Sequence, residues 1–151
     1  MIKVEKTERK RMTYGPEETF LLGKEMAGEA KAGTVITLNG DLGAGKTVFA
    51  QGFAAGLGVE AYVNSPTFTI LQIYEDGRLP LYHFDAYRIG DPEEMDEIGF
   101  EEYVYGEGVS LIEWAELIEE ILPERRIDVT IRRALEAGDN VREITILRKA
   151  K

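Results

Sequence analysis

The octet Gly40-Asp41-Leu42-Gly43-Ala44-Gly45-Lys46-Thr47 limits what this chain can fold into more than any other feature. It fits G-x-x-x-x-G-K-[ST], a turn in which glycines let successive backbone N–H groups converge on one anion. Such a turn needs a buried strand before it and a helix after it. The helix start adds unpaired amides and a positive dipole end at the same point. Both flanks are present: Val35–Asn39 is an apolar run of strand length, and an amphipathic helical pattern covers about 46–57. The competing reading, a glycine-rich turn with no ligand, leaves those flanks unexplained. The spacing therefore predicts a triphosphate loop over 40–48. Lys46 supplies a mobile charge for the β- and γ-phosphates, and the Thr47 hydroxyl fills one position on an octahedral magnesium ion. The expected nucleotide is ATP, with GTP as the alternative, and the expected cofactor is Mg2+.

The rest of the chain fits an α/β protein. Ile2 and Val4 suggest a short edge strand. Pro16, followed by Glu17 and Glu18, opens a helix that Gly33 closes. Short apolar runs at 69–74, 79–84 and 109–112, each bounded by turn residues, read as strands. Segments 92–98 and 114–122 suit helices. Alternation over 127–131 and 141–147, across a loop with Gly138, Asp139 and Asn140, predicts a terminal hairpin. The expected fold is a P-loop NTPase-type sandwich with a mostly parallel central sheet, antiparallel additions and a C-terminal β-hairpin. With 151 residues, no internal repeat and no linker, the chain reads as a single domain over 1–151.

Composition excludes several chemistries. There is no Cys and one His, so disulfide frameworks, zinc clusters and multi-histidine metal sites are out. The formal net charge of −10 argues against a surface that grips nucleic acid directly. No run reaches the length of a membrane span, and 1–11 is polar with no apolar leader core, so a cytoplasmic location is the default expectation.

A phosphate loop also requires a carboxylate at the end of a nearby buried strand. Glu113, closing Val109-Ser110-Leu111-Ile112, is assigned to magnesium. Asp85, closing Leu81-Tyr82-His83-Phe84, is assigned to positioning water or accepting its proton. For both, a helix N-cap or a salt bridge is the competing reading. Thr67 in Ser65-Pro66-Thr67-Phe68-Thr69 is a candidate to approach the γ-phosphate from a stiff turn. Arg133, at a late strand end, is a candidate to lie over the base, and Arg88 either stabilises phosphoryl charge or pairs with Asp85 or Asp91. His83 and Trp114 read first as structural residues, a strand histidine and a core aromatic.

Together these segments resemble the TsaE family of bacterial ATPases. The resemblance rests on the phosphate loop, Ser65-Pro66-Thr67-Phe68-Thr69, Tyr82-His83-Phe84-Asp85 with Tyr87-Arg88, Asp91-Pro92-Glu93-Glu94 and Ile112-Glu113-Trp114. It implies a part in making N6-threonylcarbamoyladenosine in tRNAs that read codons starting with A. The implied partners are a TsaB-like and a TsaD-like protein, whose complex ATP hydrolysis would reset. Val48, Ala86 and Ala115 depart from residues common in that family. The alternatives are a small-molecule kinase and a nucleotide-dependent binding switch. The first lacks an evident lid insertion. A GTP switch lacks N-K-x-D, and its D-x-x-G match at Asp96-Glu97-Ile98-Gly99 follows no apolar strand.

Overall fold

A computed structural model describes residues 5–40, 44–61, 63 and 69–150. One seven-stranded sheet organises them. Its strands are β1 (Glu5–Thr13), β2 (Val35–Asn39), β3 (Leu71–Tyr74), β4 (Leu81–Asp85), β5 (Val109–Glu113), β6 (Arg126–Arg133) and β7 (Arg142–Ala150), in the spatial order β1-β7-β6-β2-β5-β4-β3. The four central strands, β6, β2, β5 and β4, run parallel. β3 adds antiparallel at one edge, and β7 then β1 add antiparallel at the other. The centre is parallel because β2 and β5 are apolar along their length and need cover on both faces. Every residue of β5 and all but the last of β2 is buried.

Helices α1 (Pro16–Glu29) and α2 (Lys46–Gly56) cover one face. Ile36, Leu38, Leu81, Leu111, Val129 and Ile131 lie on that face and form one buried cluster with Phe49 and Phe53 of α2. Each fully buried side chain of this kind contributes about 1.5–3 kcal/mol. The two helices touch backbone to backbone: a Cβ on Gly52 would stand 2.0 Å from the Phe20 carbonyl oxygen. The other face is covered over β4 and β5 by two 3₁₀ segments, Pro92–Ile98 and Ala115–Ile121, and by α3 (Phe100–Val104). Phe84 and Phe100 meet edge to face at 5.2 Å within that cluster.

The helix from Pro16, strand β2, the helix from Lys46 and the terminal hairpin lie where the residue pattern predicts them. Two elements differ, and one expectation cannot be placed. Ile2 and Val4 lie outside the described residues, and the edge strand occupies Glu5–Thr13 in full antiparallel register with β7. Its Lys6, Glu8, Arg9 and Lys10 are exposed, so no alternation marks it as a strand. The segments at 92–98 and 115–121 are 3₁₀ rather than α. Asp91 caps the first with a capping box, and Ile118 breaks the second with a non-helical φ of −128°. Asp96–Gly99 closes a 3₁₀ segment, which is not the strand-end setting a switch aspartate requires.

Candidate functional site

All four parallel strands deliver their carboxyl ends to one edge of the sheet, and the glycine-rich loop leaves β2 there. Gly40 turns with φ +149°, and a Cβ on it would stand 2.4 Å from the Ile131 carbonyl oxygen on β6. No other residue fits so close an approach. Asp41, Leu42 and Gly43 lie outside the described residues, as does Thr67. The loop re-enters at Ala44, which is buried, and Gly45 caps α2 in the left-handed region with φ 112°. The Ala44 carbonyl accepts a 2.8 Å hydrogen bond from Arg142 Nε, and the same guanidinium donates through Nη1 to the Asp139 and Val141 carbonyls. One arginine at the start of β7 therefore ties the hairpin turn to the loop.

Lys46 and Thr47 form the first turn of α2, where backbone amides have no carbonyl within the helix to meet. Thr47 is exposed and Val48 half-buried. Lys46 is only 8% exposed, and its Nζ lies 4.6 Å from the centre of the Trp114 ring. That cation–π contact holds the ammonium at the sheet edge. Trp114 takes a left-handed backbone, φ 57°, unusual for a bulky residue, and its indole also packs on Tyr87 at 4.9 Å. The tryptophan is thus both a lid on the second apolar cluster and a neighbour of Lys46, beyond the core role its sequence setting suggests.

Asp85 and Glu113 end adjacent parallel strands as register partners. They are 2% and 3% exposed. Both share the sheet face of Leu81 and Leu111, the face on which α2 packs. Asp85 Oδ1 accepts from the Tyr87 amide at 2.9 Å, and its own amide donates to the Ile70 carbonyl. Glu113 Oε2 lies 2.7 Å from His83 Nε2, and His83 is 1% exposed. The imidazole therefore meets a site carboxylate, more than the packing role first read for it. Arg88 and Arg133 are exposed. Arg133 ends β6 with its Cα opposite that of Arg142.

The described residues contain no group of three or more His, Cys, Asp or Glu that could cage a metal by themselves. Magnesium does not require one. It binds through one or two protein oxygens and completes its shell with water and phosphate oxygens. A buried glutamate at a strand end and a threonine hydroxyl on the first helical turn are hard oxygen donors of the right kind, so the residues present fit that ion.

Two members of this constellation escape sequence reasoning. Period-two alternation puts His83 on the face of Asp85, a signal available but not conclusive. Arg142 has no local signature, because its partner Ala44 is 98 residues away.

The fold defines an α/β protein of P-loop NTPase-type architecture, with one sheet that is mostly parallel at its centre. The profile of a family described as "Threonylcarbamoyl adenosine biosynthesis protein TsaE" matches residues 13–144. Among curated relatives, the "tRNA threonylcarbamoyladenosine biosynthesis protein TsaE" of Bacillus subtilis is 56% identical over 133 residues, covering 88% of this chain and 81% of the relative. The protein of the same name from Treponema pallidum is 42% identical over 130 residues, covering 86% and 93%. The crystal structure of YdiB from Bacillus subtilis superposes with a TM-score of 0.82 at 49% identity, covering 95% of this chain and 87% of that one. The chain belongs to the TsaE family.

Proposed function

We propose that this chain is a single-domain, magnesium-dependent ATPase subunit required for N6-threonylcarbamoyladenosine modification of tRNA, acting with TsaB-like and TsaD-like proteins in the cytoplasm. The observation that carries the proposal is the pairing of two buried carboxylates, Asp85 and Glu113, at the sheet edge where Lys46 opens α2. The names of the relatives support the pathway.

In this reading, Lys46 and the loop amides hold the phosphates, and Thr47 and Glu113 hold the cation. Bound magnesium would neutralise charge on the β- and γ-phosphates. Asp85 orients a water whose oxygen bonds the γ-phosphorus as the bond to the leaving ADP oxygen breaks, and Asp85 or solvent takes the released proton. Thr67 approaches the γ-phosphate, and Arg133 lies over the base. The net charge of −10 suits a subunit that leaves most tRNA contact to its partners.

Steady-state ATP hydrolysis, measured with and without the two partner proteins, tests the proposal. Lys46→Ala should lose about 10²–10³-fold in turnover at unchanged helical content by circular dichroism. The partners should raise the wild-type rate. Equal turnover of wild type and Lys46→Ala would refute the ATPase reading. A rate indifferent to the partners would refute the coupling.

A further inference from the structure

Among the buried ionisable side chains of the described residues, Lys46, His83, Asp85 and Glu113, His83 is the one to which the proposed chemistry gives no task. It is 1% exposed, and of its two ring nitrogens only Nε2 has a hydrogen-bond partner among the described residues, Glu113 Oε2 at 2.7 Å. Burying a ring nitrogen without a partner costs about 1–3 kcal/mol, so an aliphatic side chain at this point of β4 would pack better. The imidazole's one connection runs to the candidate metal ligand. Its neighbours on the same face of β4, Leu81 and Asp85, lead from the apolar core to the site.

We propose that His83 is a positioning residue for Glu113. Nε2–H donates to Oε2 and fixes the carboxylate, which leaves Oε1 to reach a cation. A carboxylate on a flexible side chain loses rotamer freedom when it binds a metal, and a second-shell donor that restrains it beforehand removes part of that loss. The inference rests on the ATPase reading of the site and deepens it. It predicts that His83 governs the magnesium step of nucleotide binding and leaves the phosphate-loop step alone.

Two internal reporters make the test direct. Trp114 is the only tryptophan, adjacent in sequence to Glu113 and in contact with Lys46, and His83 is the only histidine. ATP is titrated without metal, then Mg2+ is titrated into the ATP-saturated protein, both followed by tryptophan fluorescence. His83→Leu should raise the Mg2+ half-saturation by about 10–100-fold and leave metal-free ATP affinity within about twofold. His83→Gln, whose amide N–H can stand where Nε2–H stands, should recover most of the loss. In a Glu113→Gln background, His83→Leu should add less than about twofold.

Unchanged Mg2+ half-saturation in His83→Leu overturns the proposal, and so does an equal loss of ATP binding with and without metal. Should the leucine variant fail to fold, the wild type decides the matter. With ¹⁵N-labelled histidine, adding Mg2+ to the ATP-bound protein should shift the single Nε2 resonance, and should not do so in Glu113→Gln. An unmoved resonance in the wild type overturns the proposal. Wild-type ATP binding that ignores Mg2+ altogether refutes instead the ATPase reading beneath it.

Discussion

Asp128 and Glu113 are acids on inner strands of the same sheet, one on each face, and their surroundings differ in kind. Asp128 accepts from the Thr37 hydroxyl at 2.6 Å and from Arg126 Nε at 3.0 Å, and Lys149 Nζ stands 3.1 Å away. Burial alone would raise its pKa, but the bonds from Thr37 and Lys149 and the charge of Arg126 outweigh that and hold the carboxyl below the usual carboxylate range. Glu113 is more deeply buried, and its one side-chain bond among the described residues comes from a histidine. A carboxylate surrounded by cations has finished its work when the chain folds. Glu113, at the end of the strand beside β2, keeps coordination capacity, which is what the proposed magnesium role requires.

Swapping each acid for its amide puts this contrast at risk, and the largest effect belongs to Glu113→Gln. It should lower ATP turnover by about 10²-fold or more, while the melting temperature holds or rises because a buried charge is gone. A clear fall in melting temperature would place Glu113 with Asp128 as a structural acid.

Arg142→Ala sharpens the contrast from the loop side. Losing the bond to the Ala44 carbonyl should cost about 1–1.5 kcal/mol of loop order. ATP affinity by calorimetry should then weaken by roughly tenfold. Unaltered affinity would show that the phosphate loop keeps its form without the hairpin.

Asp128→Asn should do the reverse of Glu113→Gln. A loss of about 1–2 kcal/mol in chemical denaturation is expected, with ATP turnover within about twofold of wild type. The pH dependence follows from the sign of the shift. The folded-state pKa lies below the unfolded one, so the stabilisation is present above the unfolded value, near 4, and is lost as pH falls through the folded value. The gap between wild type and Asp128→Asn should be widest near neutrality and close on acidification below about pH 4. A gap independent of pH would mean that Asp128 contributes through shape alone.

How much of this was readable beforehand varies with how local the cause is. The loop from Gly40, strand β2 and helix α2 follow from a motif and its flanks, because the constraint spans few residues. Asp85 and Glu113 were legible as acids ending apolar runs, and their register pairing is what parallel neighbours at one sheet edge produce. β1 was not legible, since an edge strand with exposed polar side chains has no alternation to show. Neither was α3, which at five residues is too short for a helical period to emerge. The tasks of Arg142 and His83 depend on partners brought near only by the finished sheet. No window on the chain contains both ends of those bonds.

The contact between Gly52 and Phe20 bears on how variation in such chains should be interpreted. A library screened for nothing but solubility would return glycine at position 52, because any larger residue drives a carbon into the carbonyl oxygen of the neighbouring helix. That position would appear as intolerant as the lysine of the phosphate loop, although it touches no chemistry. Mutational scans of this chain will register two kinds of silence, and only a screen that scores folding apart from turnover can tell them apart.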